Sequence, residues 1–365
     1  MIYVFVSYNY SPDFDTPESW CRRTEGYNGV LECLSTEHIV INVKQINYEG
    51  DHIHNGVLHR FVNFGKKKTY FPGKLNHFVK SLNPDIVVIH GLHHPLQLIQ
   101  LGLILNKNTR IIAQHHAEQP FTGVRKYIQR VACGYIDAYL FASLHMGMEW
   151  VKKGNLGPAK KIHEVMEVSS SFSPVKKADA RLKTDAEGGP VFLWVGRLNE
   201  NKDPLNVVRA FLKFAKLNPP ARLYMVYQTD ELLTGIKELL KSGADKKAVI
   251  LIGKVDHDEL LYWYNSADYF ISGSHYEGSG TAVCEAMSCG CIPIVTDIFS
   301  FRMITNNGDC GILYKAGDEG ALLNALLQTR QLNLEEQREK VLSYFKSNLS
   351  FEAIAARMQR VVASL

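Results

Sequence analysis

The sequence predicts two α/β domains in series, each a parallel sheet covered by helices on both faces. Three observations lead there. The chain has 365 residues, too many for one comfortable hydrophobic core. Short β-branched or aromatic runs alternate with helix-period stretches twice over. Between the two alternations, Ser173 to Pro190 carries little apolar material and ends in Gly188-Gly189-Pro190, the composition of an interdomain linker.

In the first half, strands are expected at Ile2–Ser7, Ile39–Gln45, Leu58–Phe64, Ile86–His90, Arg110–Gln114, Ala138–Ala142 and Ile162–Val168. Helical stretches fall near 27–35, 73–82, 94–105, 123–133 and 144–153. Asn83-Pro84-Asp85 is a helix stop followed at once by the apolar run Ile86–His90. In the second half, strands are expected at 191–196, 222–227, 248–252, 268–272, 292–296 and 310–314, and Phe351 to Val362 reads as an amphipathic helix. The resulting division is 1–173 for the first domain, rejoined by a C-terminal helix at about 350–365, then a linker at 174–189 and a second domain at 190–349. Ligands of open parallel sheets sit beyond the carboxyl ends of the strands. Two such sheets are expected to face each other across a cleft, one wall per substrate.

Bulk properties narrow the partners. A net charge of +4 gives no reason to expect nucleic acid. The cations cluster locally: Lys66, Lys67, Lys68, Lys74 and Lys80 interleave with Tyr70, Phe71 and Phe78. This run reads either as a solvated face or as peripheral contact with an anionic membrane. Seven scattered cysteines, three of them in one apolar segment, suit buried thiols in a reducing compartment. The chain opens with a strand-like run, and no apolar stretch is long enough to span a bilayer. The expected location is cytoplasmic, including the inner face of the membrane.

Two clusters carry chemistry. The strand Val191–Gly196 runs into Arg197-Leu198-Asn199-Glu200-Asn201-Lys202-Asp203-Pro204, with Pro204 placed to begin a helix. Arg197 and Lys202 on that turn suit a diphosphate at a helix N-terminus, the alternative being a solvated turn. The second cluster, Glu277-Gly278-Ser279-Gly280-Thr281, leads into a helix that is apolar almost all round, with Glu285 its only charge. A buried carboxylate there requires a partner: a backbone amide, an Arg or the paired hydroxyls of a ribose. Glu277 stands beside glycines that let the backbone approach a ligand.

Glu277 and Glu285, with seven residues between them in Glu-Gly-x-Gly-x4-Glu-Ala-Met-x-x-Gly, resemble the E-x7-E motif of retaining GT-B glycosyltransferases of family-4 type. The resemblance extends from the Gly196-Arg197-Leu198 loop through Ile252–Val255, Ser266-Ala267-Asp268 and Gly311–Leu313 to Leu349–Ala355. It implies the GT-B fold, with two Rossmann-like domains, and a nucleotide-sugar donor (a UDP- or GDP-sugar) as substrate, with no cofactor and no metal. Residue by residue it implies that Arg197 and Lys202 bind the diphosphate, Glu285 the ribose and Glu277 the transferred sugar. Gly278, Ser279, Gly280 and Thr281 would add backbone contacts to the donor, and Lys254 and Val255 would meet the base. In the first half, Gln114-His115-His116 follows a strand where the family has a histidine facing the reacting sugar, giving His116, with His115 as the alternative. The family's glycine pair after the first strand is absent. Instead Tyr8-Asn9-Tyr10 opens a longer loop, expected to shape the site of a carbohydrate or lipid-linked acceptor. The expected activity is retaining, metal-independent transfer in polysaccharide, lipopolysaccharide or glycolipid assembly. Alternatives are a nucleotide-sugar epimerase of the same fold and a non-catalytic sugar-nucleotide binding protein.

Other patterns carry less. Asp256-His257-Asp258 is read as a helix cap, with Glu259 completing a capping box, rather than as a metal-diphosphate motif. His90, His93 and His94 with His115 and His116 lack the ligand spacing of a metal centre.

Overall fold

The computed structural model describes residues 1–64, 72–242 and 247–365. The chain forms two compact units: Met1–Ser169 with Phe351–Leu365, and Ser170–Ser350.

The first unit has strands β1 (Ile2–Ser11), β2 (Ile39–Ile46), β3 (Gly50–His54), β4 (Val57–Val62), β5 (Ile86–His90), β6 (Arg110–Gln114), β7 (Ala138–Phe141) and β8 (Ile162–Glu164). Its helices are α1 (Pro17–Arg23), α2 (Glu25–Ser35), α3 (Gly73–Ser81), α4 (Pro95–Ile104), α5 (Gly123–Ala132) and α6 (Leu144–Lys152). The sheet order is β3-β4-β2-β1-β5-β6-β7-β8, parallel except for β3 against β4. Strands covered on both faces need continuous apolar runs, and every residue of β5 is buried. The C-terminal helix Phe351–Ala363 lies on α2: a side chain at Gly29 would stand 2.5 Å from the Phe351 ring. Gly29 is therefore a packing residue.

Several expectations for this unit are corrected. Strand β3 was not anticipated. Asn55 and Gly56, both at positive φ, form the two-residue turn that joins it to β4. Thr16 caps α1, accepting the Ser19 amide, with Pro17 at the first helical position. The expected loop at Tyr8–Asp13 is largely strand: β1 runs to Ser11 and shifts register between Val6 and Tyr10. Strand β8 stops at Glu164 because its partner β7 ends at Phe141.

The second unit has α7 (Lys177–Thr184), β9 (Val191–Gly196), α8 (Pro204–Leu217), β10 (Arg222–Tyr227), α9 (Leu233–Ser242), β11 (Val249–Gly253) and α10 (His257–Ser266). Next come β12 (Tyr269–Ser272), α11 (Thr281–Ser288), β13 (Ile292–Thr296), α12 (Phe299–Ile304), β14 (Ile312–Tyr314), α13 (Glu319–Gln328) and α14 (Leu334–Tyr344). The order β11-β10-β9-β12-β13-β14 is wholly parallel, so the winding reverses between β9 and β12. In the first unit it reverses between β1 and β5.

The tract expected as a linker at 174–189 is not a plain connector. Residues 177–184 form α7, which packs on α10, and the division falls at Ser169/Ser170. The buried Asp268 carboxylate holds this helix through Lys177 and Arg181 and also accepts the Val191 amide at 2.7 Å. The low apolar content that suggested a linker belongs to a helix attached by charge. Strand β14 begins at Ile312, two residues later than expected, because the Cys310 amide is bonded back to Thr305 in the turn after α12.

Candidate functional site

In the second unit, two loops meet at the carboxyl ends of β9 and β12, where the strand order reverses. The first follows β9, carries Arg197 and Lys202, and enters α8 through Asp203 in the left-handed region and Pro204. The second runs from Gly273 to Gly280, the latter at φ +60° as the N-cap of α11. Gly273 must be small, since a Cβ there would come within 3.0 Å of the Lys202 carbonyl.

Asn201, which sequence reading gave no role, ties the two loops together. Its Nδ2 donates to the Tyr276 carbonyl at 3.0 Å, its Oδ1 accepts the Tyr276 amide at 3.1 Å, and its own carbonyl accepts the His275 amide at 2.8 Å. Across this seam Lys202 Nζ pairs with Glu277 Oε1. Arg197 is exposed: its carbonyl accepts the Asn199 amide at 2.9 Å, and its side chain makes no hydrogen bond or ion pair among the described residues. The structure thus brings Arg197, Lys202 and Glu277 to one loop pair beside the start of α11. An anion there would meet two cations beside the N-terminus of α11.

Glu285 is buried on α11, and among the described residues its side-chain partners are neither a backbone amide nor an Arg. The Tyr264 hydroxyl donates to Oε2 at 2.8 Å, and His257 Nε2 lies 3.0 Å from Oε1. Burial, with the Glu285 carboxylate adding to it, pushes the Tyr264 phenol well above its ordinary value, so it stays a donor. The His257 ring stacks on Phe172 with centroids 4.9 Å apart and remains partly exposed. One carboxylate oxygen is therefore held by a buried phenol, and the other by a ring at the surface. Asp256 does cap α10, but by its backbone carbonyl, which accepts the Glu259 amide at 3.0 Å. No side-chain cap bond forms, so the expected capping box is absent. Lys254 is exposed and Val255 half-buried, both between Gly253 (φ +86°) and α10.

The first unit has a different site, built inside rather than on loops. His90 ends β5 and His116 follows β6. His116 Nδ1 donates to Glu167 at 2.5 Å, and its Nε2 lies 2.8 Å from His90 Nδ1. Burial alone lowers the affinity of His116 for its proton, but the Glu167 charge and hydrogen bond, helped by Glu118, raise it overall. His90 is pushed well below its ordinary value by burial, then by Lys44 and His116. A neutral His116 carries its proton on Nδ1 and presents Nε2 as an acceptor, so both ring nitrogens are engaged. Glu118 locks the turn, its two oxygens accepting the Leu92 amide at 2.8 Å and the His116 amide at 2.7 Å. Lys44 is buried over the Tyr27 ring, and burial lowers its pKa to about 7.

Two candidates in this unit are corrected. His115 is buried, stacked on Phe141, and donates Nε2–H to the Glu118 carbonyl at 3.0 Å, so it has no face for a substrate. Tyr8 is fully buried, with its hydroxyl on Asn76 Oδ1 at 2.9 Å, because it belongs to strand β1 and not to a loop. Asn9 is exposed and Tyr10 half-buried. Of the lysine run, Lys66, Lys67, Lys68, Tyr70 and Phe71 lie outside the described residues. Phe78 packs on the core with Arg60 over its ring.

Comparison with known proteins bears on the second unit first. Residues 176–346 match the family model "Glycosyl transferases group 1", and this segment carries a domain of that type. The chain is 32% identical over 134 residues to mannosylfructose-phosphate synthase of Agrobacterium fabrum, a match covering 34% of this chain and 30% of that protein. It is 28% identical over 200 residues to N-acetyl-alpha-D-glucosaminyl L-malate synthase of Bacillus anthracis, covering 52% and 51%. The matched stretches thus span about half or less of these relatives. Over its full length the chain is similar to Anabaena HepE, solved in complex with UDP, at TM-score 0.75, 12% identity and 100% coverage of both chains. That likeness concerns the fold, which is GT-B: two doubly wound, Rossmann-like units.

Proposed function

We propose that the protein is a glycosyltransferase that moves a sugar from a nucleotide-diphosphate donor to a carbohydrate or lipid-linked acceptor, with retention of anomeric configuration and without a metal. One observation carries the reading: Arg197, Lys202 and Glu277 converge on the switch point of a group 1 domain, with Lys202 and Glu277 already paired. Arg197 and Lys202 would bind the diphosphate and take up the charge that grows on the leaving phosphate, work otherwise done by a cation. That phosphate would accept the acceptor's proton. Glu277 would meet a sugar hydroxyl, exchanging part of its pairing with Lys202 for the substrate.

Glu285 would hold the ribose, the diol taking the place of the partly exposed His257 while Tyr264 keeps the other oxygen oriented. Backbone at Lys254 and Val255 would meet the base. A UDP-sugar is favoured over a GDP-sugar by the UDP bound in HepE. His116 is assigned a sugar hydroxyl through Nε2, which would then leave His90. Assembly of polysaccharide or glycolipid at the cytoplasmic face of a membrane is the setting that suits such an acceptor.

The test is nucleotide release. Incubated with a UDP-sugar and a mixed pool of saccharide and polyprenyl-diphosphate acceptors, the protein should release UDP only when an acceptor is present. The product should carry the donor's anomeric configuration by NMR. UDP release or isomerisation of the sugar without any acceptor would point to an epimerase and overturn the reading.

A further inference from the structure

The two loops of the second unit are joined by two kinds of bond. One is charged, the pair between Lys202 and Glu277. The other is neutral: the Asn201 side chain donates to the Tyr276 carbonyl at 3.0 Å and accepts the Tyr276 amide at 3.1 Å. A primary amide suits this double contact because it carries a donor and an acceptor on one planar group. Asn201 is exposed, so the bonds serve the loops and not the core. Their place in the chain matters. Asn201 precedes Lys202 and Tyr276 precedes Glu277, so a bond between the first two fixes the backbone separation of the second two. The far ends of the second loop are anchored elsewhere. The Ser274 carbonyl accepts the Thr296 hydroxyl at 2.5 Å, and the Gly280 carbonyl accepts the Val283 amide at 2.9 Å. Tyr276 and Glu277 lie between these anchors, on the stretch that the seam supports.

The proposed reaction treats the two bonds differently. The donor would draw Lys202 to its diphosphate and Glu277 to a sugar hydroxyl, loosening the charged pair just when both loops must stay in register. Asn201 carries no charge, and its donor and acceptor are both occupied by Tyr276. A bound anion offers it no better partner.

We propose that Asn201 is a positioning residue for transfer, keeping Lys202 and Glu277 in register once the donor has loosened their pair. The proposal rests on the transferase reading. Its loss should appear in turnover: Arg197 and Lys202 would still bind the diphosphate, but the sugar would no longer be aligned on the leaving phosphate. Asn201→Ala should lower kcat about a hundredfold and change the donor KM by no more than about threefold. Its melting temperature should hardly move, because the side chain is exposed. The isosteric Asn201→Asp, which turns the donor into an acceptor facing the Tyr276 carbonyl, should lose at least as much activity. Hydrogen exchange of the segment 275–280 reads the seam without turnover. This segment should exchange faster in Asn201→Ala than in the parent, and saturating UDP should widen that gap at least about threefold. An unchanged kcat, or a gap that UDP leaves as it was, in a parent chain that binds UDP would overturn the proposal alone. So would a melting temperature that falls in step with kcat, the mark of a purely structural residue. A parent chain that binds no UDP in calorimetry would overturn the donor reading, and the proposal with it.

Discussion

The two units share one architecture and use it in opposite ways. Each places polar groups at the carboxyl ends of strands beside the point where the winding reverses. In the second unit these groups sit on loops: Arg197 is exposed, and Lys202 and Glu277 pair across a seam that Asn201 closes. In the first unit His90, Lys44 and Glu167 are buried, with His116 bridging His90 to Glu167 and Lys44 lying over the Tyr27 ring. Buried polar groups must find partners within the protein, whereas loop charges can trade theirs for a ligand. Changes in the second unit should therefore be read in activity, and changes in the first in stability.

The sharpest break of that contrast is Lys202→Ala, which should lower transfer by about a thousandfold while the melting temperature hardly moves. Full activity in the folded variant would remove the phosphate assignment.

In the first unit, Lys44→Met should stabilise the protein on the order of a few kcal/mol at neutral pH. Lys44 has its pKa lowered to about 7 from 10.5, so the unfolded chain binds more protons between those values and the parent gains stability as pH rises. The variant's advantage should be full below pH 7 and fade towards pH 10.5. Denaturant melts across that range check it, and an advantage that grows with pH would contradict it.

Glu167→Gln should cost about 1–3 kcal/mol. Because His116 has a raised folded pKa, its contribution is complete below its unfolded value and is lost as pH rises through the folded one. The variant's deficit should accordingly be larger in acid than in base. The smallest effect expected is that of Tyr264→Phe, which frees one oxygen of Glu285. Donor affinity should fall about tenfold in calorimetry, with a stability cost of about 1 kcal/mol for the buried oxygen left unpartnered.

What was legible in the sequence follows the same divide. The strands of both sheets could be read because doubly covered parallel strands require unbroken apolar runs, as in Ile86–His90. The placement of Arg197, Lys202 and Glu277 on strand-end loops, and of Glu285 on the helix that follows, could be read because these motifs are local in sequence. Tyr8 and His115 were misassigned because register, not residue type, decides whether a strand-end side chain faces the core. Asn201, His257, Tyr264 and Glu167 were missed because their partners lie 75, 28, 21 and 51 residues away in sequence. The α7 segment was taken for a linker because charge attaches it, and charge is also what marks linkers. Asn55-Gly56 and Thr16-Pro17 are local turn and cap signals that mark the β3–β4 hairpin and the start of α1.

The proposed function requires that the second unit bind a nucleoside diphosphate through Arg197 and Lys202 without a metal. The most direct measurement is thermal melting with UDP, GDP or ADP in the presence of EDTA, on the parent chain and on Lys202→Ala. At about a hundred times its dissociation constant, the right nucleotide should stabilise the parent by about 2.7 kcal/mol and the variant far less. An equal shift in both proteins, or a shift that vanishes with EDTA, would contradict it.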